Sequence, residues 1–181
     1  MSDIGDSDIS DSDSSLYSDS EDGSDSDGDQ LLELQQLSHQ QNSLDKKLLD
    51  AARDGKLHKV IRLLEEGANP RAEDGFGLNS LELSARAGHD LVVKKFLEDE
   101  EGFNLGEALG LAAHHGYYST VKIILDHNPD ENSMNAALIS AAAQDHADIV
   151  SELLKRGADP SDPNAEGVTA MQKAEMYGCQ N

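Results

Sequence analysis

The residues of this chain that could do more than pack are seven histidines, a single cysteine and a set of acid-flanked serines. His114 and His115 are adjacent, and adjacent helical side chains point about 100° apart, so the two are poorly placed to chelate one ion. His39, His58 and His127 have no partner at metal-ligand spacing, and there is no His-Glu-x-x-His run and no Cys/His cluster. Gly23-Ser24-Asp25-Ser26-Asp27-Gly28 resembles a calcium loop only in part. Such a loop opens on Asp and closes on a bidentate Glu; with Gly28 set on its required glycine, those places hold Gly23 and Leu34. No Gly-rich phosphate loop, nucleophile elbow or nucleophile–base pairing is recognisable, and Cys179 has no second thiol to work with. The reading is of a chain that is not an enzyme and that needs no metal or cofactor.

The serines are more suggestive. Ser10, Ser18, Ser24 and Ser26 each have an acid three residues downstream, the context that acidophilic kinases of the casein kinase II type favour. Each phosphate would add roughly −1.5 to −2 charges. Residues 1–30 already hold ten Asp, one Glu and no Lys or Arg, half of the formal charge of −22, and the first basic residue is Lys46. So acidic a chain is a poor nucleic-acid binder, which must present cations to phosphate, and anionic membrane surfaces repel it. No apolar run is long enough for a membrane span, and the acidic N-terminus does not resemble a basic leader. One cysteine forms no internal disulfide. The expectation is a monomeric intracellular protein, cytoplasmic and/or nuclear.

The elements that would position these residues fall into three regions. Residues 1–30 have too few apolar side chains to offset chain entropy of about 1–2 kcal/mol per residue, and are expected to be a disordered acidic tail. In residues 31–47, Leu31, Leu34 and Leu37 recur every third residue with Leu32 beside them, which predicts a short amphipathic helix or a linker. From residue 48 to 181 the chain repeats itself. Gly55, Gly88, Gly116, then Asp145 in the glycine's place, then Gly178, mark units at spacings of 33, 28, 29 and 33 residues. Each unit opens on an Ala-rich patch, such as Ala51-Ala52 or Ala112-Ala113, where small side chains let neighbouring helices approach closely. A Val/Ile/Leu patch at helical spacing follows, such as Leu63-Leu64 or Ile149-Val150 with Leu153-Leu154. Glycine after each helix supplies the left-handed C-terminal residue, and Asn79 and Thr169 suit helix N-caps. The reading is all-α: a solenoid of four full helix–turn–helix repeats and a partial fifth, because only Cys179-Gln180-Asn181 follow Gly178. The expected core is Leu48, Ala52, Val60, Leu63, Leu64, Leu81, Ala85, Val93, Phe96, Leu97, Leu109, Ala112, Val121, Ile124, Leu125, Leu138, Ala142, Ile149, Val150, Leu153 and Leu154.

Units of this length carrying Ser84-Ala85-Arg86-Ala87-Gly88-His89 and Gly157-Ala158-Asp159-Pro160 resemble ankyrin repeats. The family's Thr-Pro-Leu-His signature appears only as Asn79-Ser80-Leu81-Glu82 and Thr169-Ala170-Met171-Gln172. The third and fourth units are short, so tight loops should replace the family's β-hairpin fingers there. His89 and His146 fall where the pattern commonly has a structural histidine. The resemblance implies binding of a protein partner through the concave side, at loop tips and exposed inner-helix positions. By register these are Arg53, Asp54, Phe76, Leu78, Arg86, His114, His115, Gln144, Glu166 and Tyr177. Phe76, in a Gly-flanked turn, is the best single candidate, since aromatic and Arg side chains dominate hot spots. Arg86 has the alternative of an ion pair with Glu82 at i, i+4.

Three readings follow. The first is a non-catalytic adaptor or regulator whose partner's identity the residues do not name. In the second, the acidic tail competes for a basic ligand in a regulatory subunit. The third arises because Asn104-Leu105-Gly106-Glu107-Ala108-Leu109, after a shortened linker, is similar to the middle of the N-terminal ankyrin region of TRPC-type cation channels. That likeness implies the cytosolic N-terminal part of such a channel.

Overall fold

The computed structural model describes residues 25–99, 102–163 and 167–176. Within them every regular element is an α-helix: α1 (Asp25–Arg53), α2 (Leu57–Glu65), α3 (Ser80–Arg86), α4 (Asp90–Asp99), α5 (Leu105–His114), α6 (Tyr118–Leu125), α7 (Glu131–Ala143), α8 (Ala147–Lys155) and α9 (Ala170–Met176). The chain divides into two compact units, residues 1–37 and 38–181.

In the second unit the helices form two rows. Helices α3, α5, α7 and α9 pack each on the next, and α2, α4, α6 and α8 form the other row. The Ala-rich patches set the first row: Ala85, Ala108, Ala112, Ala113, Ala137 and Ala141 are fully buried, with no side chain beyond Cβ to hold the helices apart. The second row contributes the bulk through Val60, Leu63, Val93, Phe96, Val121, Ile124, Ile149 and Leu153. A single core runs through all of these, as expected where each repeat buries its apolar face only against its neighbours. Leu154 departs from the expected core and is 42% exposed. Ile149 and Leu153 take the inward positions, and the next residue along a helix is turned about 100° away. Leu64, Leu97 and Val150 are half-buried at the margin.

Local chemistry explains the helix ends. Asn79 forms a reciprocal capping box with Glu82: its side chain accepts from Glu82 N–H at 3.1 Å, and Glu82 Oε2 accepts from Asn79 N–H at 2.9 Å. Thr169 and Gln172 exchange the same pair of bonds at 3.3 and 3.0 Å. The glycines that close the first helices have φ of +69°, +70° and +78° at Gly55, Gly88 and Gly116, and Asp145 takes φ +60° in the equivalent place. The joins at residues 100–104 and 126–130 are short, while 66–79 and 156–169 are long. The second long loop is tied down by the buried Asn135, whose side chain accepts from Asp159 N–H at 2.8 Å and donates to Asp162 at 2.7 Å.

One helix spans the described part of the N-terminal region. No glycine or proline lies between Gly28 and Gly55, and α1 runs unbroken from Asp25 to Arg53. Residues 25–30 form its first turns, and residues 31–47, expected as a short amphipathic helix or a linker, continue the same helix. Leu44 packs against the core, and Leu48, Leu49, Ala51 and Ala52 are buried in it. Residues 1–24 lie outside the described residues.

Candidate functional site: the inner-helix ends and the first long loop

Register places three basic candidates alike on successive units. Arg53, Arg86 and His114 each stand two residues before the glycine that ends their repeat's first helix, in the last turns of α1, α3 and α5. All three are exposed. The guanidinium groups of Arg53 and Arg86 there complement the negative end of the helix dipole. Arg53 is already engaged: its guanidinium pairs with Asp50 at 3.1 Å and with Asp74 at 3.3 Å. Asp54 pairs with Lys56 at 2.6 Å, and that hydrogen bond and charge hold its carboxyl below the usual range. Arg86 does not take up the i, i+4 pairing with Glu82, whose carboxylate is turned to Asn79 in the capping box.

The first long loop presents Phe76. Asp74 organises the turn: its Oδ1 accepts from Phe76 N–H at 2.8 Å and from Leu78 N–H at 3.1 Å, and its own N–H donates to the Leu78 carbonyl at 2.9 Å. Gly77, at φ +78°, supplies the reversal. Desolvation is the largest influence on the Asp74 carboxyl and pushes upward. The two amide bonds and the Arg53 charge together outweigh it, so the group sits low. The fixed loop leaves Phe76 87% exposed and Leu78 half-buried. Beside it, a cleft of about 300 Å³ is lined by Asp45, Lys46, Leu49 and Arg53 from α1 and by Ala72 to Gly75 from the loop. Asp74 was not among the sequence candidates; an Asp two residues before an exposed aromatic and four before Leu78 is the signal that marks it.

The histidine pair sits at the end of α5. The rings of His114 and His115 are edge to face with centroids 5.0 Å apart, and His115 lies 6.2 Å from Tyr117. Desolvation, then the neighbouring charges of His114, Arg86 and His146, push the His115 pKa down. His146 Nε2 donates to the His114 carbonyl at 3.1 Å, and His89 Nε2 to the Arg53 carbonyl at 2.9 Å, so both rings tie one repeat to the next. Gln144 is exposed at the C-cap of α7. Glu166, Tyr177, Ser10, Ser18 and Ser24 lie outside the described residues, and Ser26 falls in the first turn of α1. Among the described residues no group of three or more His, Cys, Asp or Glu is placed to hold a metal ion, and no helix is long and apolar enough to cross a membrane.

The geometry joins Arg53, Asp74, Phe76 and Leu78 in one arrangement, and Arg86 with His114 and His115 in a second. Comparison with known proteins agrees with this architecture. The chain is 30% identical over 145 residues to a mitochondrial disaggregase of Bos taurus, covering 74% of this chain and 21% of that protein. It is 39% identical over 79 residues to the E3 ubiquitin-protein ligase XBAT33 of Arabidopsis thaliana, 40% of this chain and 15% of that one. It is 30% identical over 126 residues to the ankyrin repeat domain-containing protein SAT10 of Stachybotrys chartarum, 65% of this chain and 6% of that one. The chain thus spans about a fifth or less of the length of these relatives. The family pattern for ankyrin repeats matches residues 48–135 and 109–181 in three copies, and the chain belongs to the ankyrin-repeat family.

Proposed function

We propose that this chain is a non-catalytic protein-interaction module, intracellular and monomeric, that grips a protein partner along the inner-helix ends and the first long loop. The observation that carries the reading is Phe76. A large aromatic exposed at 87% on a turn held by Asp74 and Arg53 loses little freedom when a partner covers it. Leu78 would add apolar area beside it, and Arg53, Asp54, Arg86, His114, His115 and Gln144 would supply the polar contacts; Glu166 and Tyr177 are further candidates by sequence register alone. The relatives' printed activities, disaggregase and ubiquitin ligase, belong to proteins of which this chain spans a small part. Phosphorylation of Ser10, Ser18, Ser24 and Ser26 by an acidophilic kinase would tune the charge of the N-terminal region.

The test is a double substitution, Phe76→Ala with Arg86→Ala. Affinity capture with quantitative mass spectrometry should lose the specific partner while the melting temperature stays within a few degrees. An unchanged set of captured proteins would refute the assignment of the site.

A further inference from the structure

The first compact unit carries an apolar face outside the repeat core. Leu31, Leu32, Leu34 and Leu37 are 57%, 57%, 62% and 57% exposed on two turns of α1. Single exposed leucines are ordinary, but four within seven residues of one helix are a patch. Leu31, Leu34 and Leu37 recur at i, i+3 and i+6, which puts them on one side of the helix, with Leu32 broadening it. The residues from 30 to 37 are otherwise Gln and Glu: Gln30, Glu33, Gln35 and Gln36.

Charge decides which occupant suits this face. From Met1 to Asp45 there are thirteen Asp and Glu and no Lys or Arg. A second copy would bring two such segments side by side, and like charges at close range repel. An anionic membrane surface is excluded on the same ground. A helix whose leucines or other apolar side chains are flanked by Lys and Arg would bury the Leu patch and be attracted by the net negative charge that this segment carries. Apolar burial supplies the affinity, and the field supplies the orientation and the on-rate.

We infer that the Leu31–Leu37 face of α1 is a docking surface for a basic amphipathic helix of another protein, a helix-on-helix mode distinct from recognition at the repeat surface. The inference does not rest on the role proposed for Phe76, because the two surfaces share no residue.

The experiment uses the full chain and three fluorescein-labelled peptides of about twenty residues. One is a Lys/Leu helix with Leu at heptad a and d positions, the second its Glu/Leu counterpart, the third a Lys/Ser peptide of equal charge. Fluorescence anisotropy is measured at 0.1 M salt against the wild type and against Leu31→Ser/Leu34→Ser/Leu37→Ser, which keeps every charge and touches no core residue. The expected result is binding of the Lys/Leu peptide that falls at least tenfold in the triple variant, with the other two peptides at least tenfold weaker against the wild type. Equal binding of Lys/Leu by wild type and variant would reduce the effect to non-specific attraction and overturn the proposal. A wild-type dimer in sedimentation velocity that the triple variant abolishes would also overturn it, by making a second copy the occupant. Circular dichroism and thermal melting of the variant are expected to match the wild type, so a loss of binding is read on a folded chain.

Discussion

The imidazole of His89 lies against the α-carbon of Gly55, so closely that a Cβ built there would fall 2.5 Å from His89 Nδ1. The contact is a device that the array repeats. A Cβ on Gly88 would meet the Tyr117 ring at 2.5 Å, and one on Gly116 the His146 ring at 2.6 Å. Each ring from one repeat seats on the glycine that ends the first helix of the repeat before it, and His89 and His146 add a hydrogen bond to a carbonyl of the same turn. The glycines thus serve two needs at once, a left-handed backbone and room for the next repeat.

Those two needs separate by substitution. Gly67 has φ +89° with open space around it, whereas Gly88 has φ +70° and the Tyr117 ring. Gly67→Ala carries only the left-handed backbone cost, about 1 kcal/mol, while Gly88→Ala adds displacement of the ring and should exceed about 2 kcal/mol. Urea unfolding of both variants measures the difference; equal losses would mean that the rings yield freely.

Glu82 makes stability depend on pH. Burial, against the pull of the Asn79 amide and with help from Glu107 and Glu73, raises its pKa above 4.5. The folded state then holds the proton longer than the unfolded one, so the group's contribution falls as pH rises from about 4.5 through the raised value and levels off above it. Glu82→Gln keeps the capping bond and removes the charge. Its melting temperature relative to wild type should be higher at pH 7 than at pH 4, and a difference independent of pH would contradict the assignment.

Ser80 is fully buried and its Oγ has no hydrogen-bond partner among the described residues. An orphaned buried hydroxyl costs about 1–3 kcal/mol. Ser80→Ala, which keeps the backbone bond to the Pro70 carbonyl at 3.3 Å, is expected to raise stability by up to about 1 kcal/mol. Destabilisation in a chemical melt would point to an unseen partner for the hydroxyl.

How far the sequence carried this reading differs by element. The glycine register and the caps at Asn79 and Thr169 were legible because each depends on neighbours within a few residues. The rings that fill the glycine notches are only half legible: His89 and His146 match a family pattern, but Tyr117 fills the middle notch, at Gly88, by shape alone. That α1 is one long helix is less legible, although no glycine or proline lies between Gly28 and Gly55. The pattern of burial changes along it, from exposed Leu31 to buried Leu48, and that change is not a change of backbone. The sequence pattern puts Leu154 in the core because apolar character alone does not say which of two adjacent residues faces inward. Phe76 was legible as a candidate; the Asp74 turn that fixes it was not, because its bonds to Phe76, Leu78 and Arg53 join groups that only the folded loop brings together.

That turn makes its own prediction. Asp74→Ala removes the acceptor for two amides and the partner of Arg53. Hydrogen exchange at the Phe76 and Leu78 amides should accelerate at least tenfold while the exchange of α5 and α7 is unchanged. Unaltered exchange at the loop would mean that Asp74 does not hold it.

A partner that covers Phe76 is within reach of a photo-cross-linker placed at that position. Phe76→p-benzoylphenylalanine places a benzophenone on the loop tip, and Leu91→p-benzoylphenylalanine places one on α4, where Leu91 is 68% exposed in the other helix row. Irradiation in cells, followed by mass spectrometry of the adducts, should yield a discrete protein adduct from position 76 and none of that species from position 91. The same adduct from position 91, or none from 76, would contradict the account.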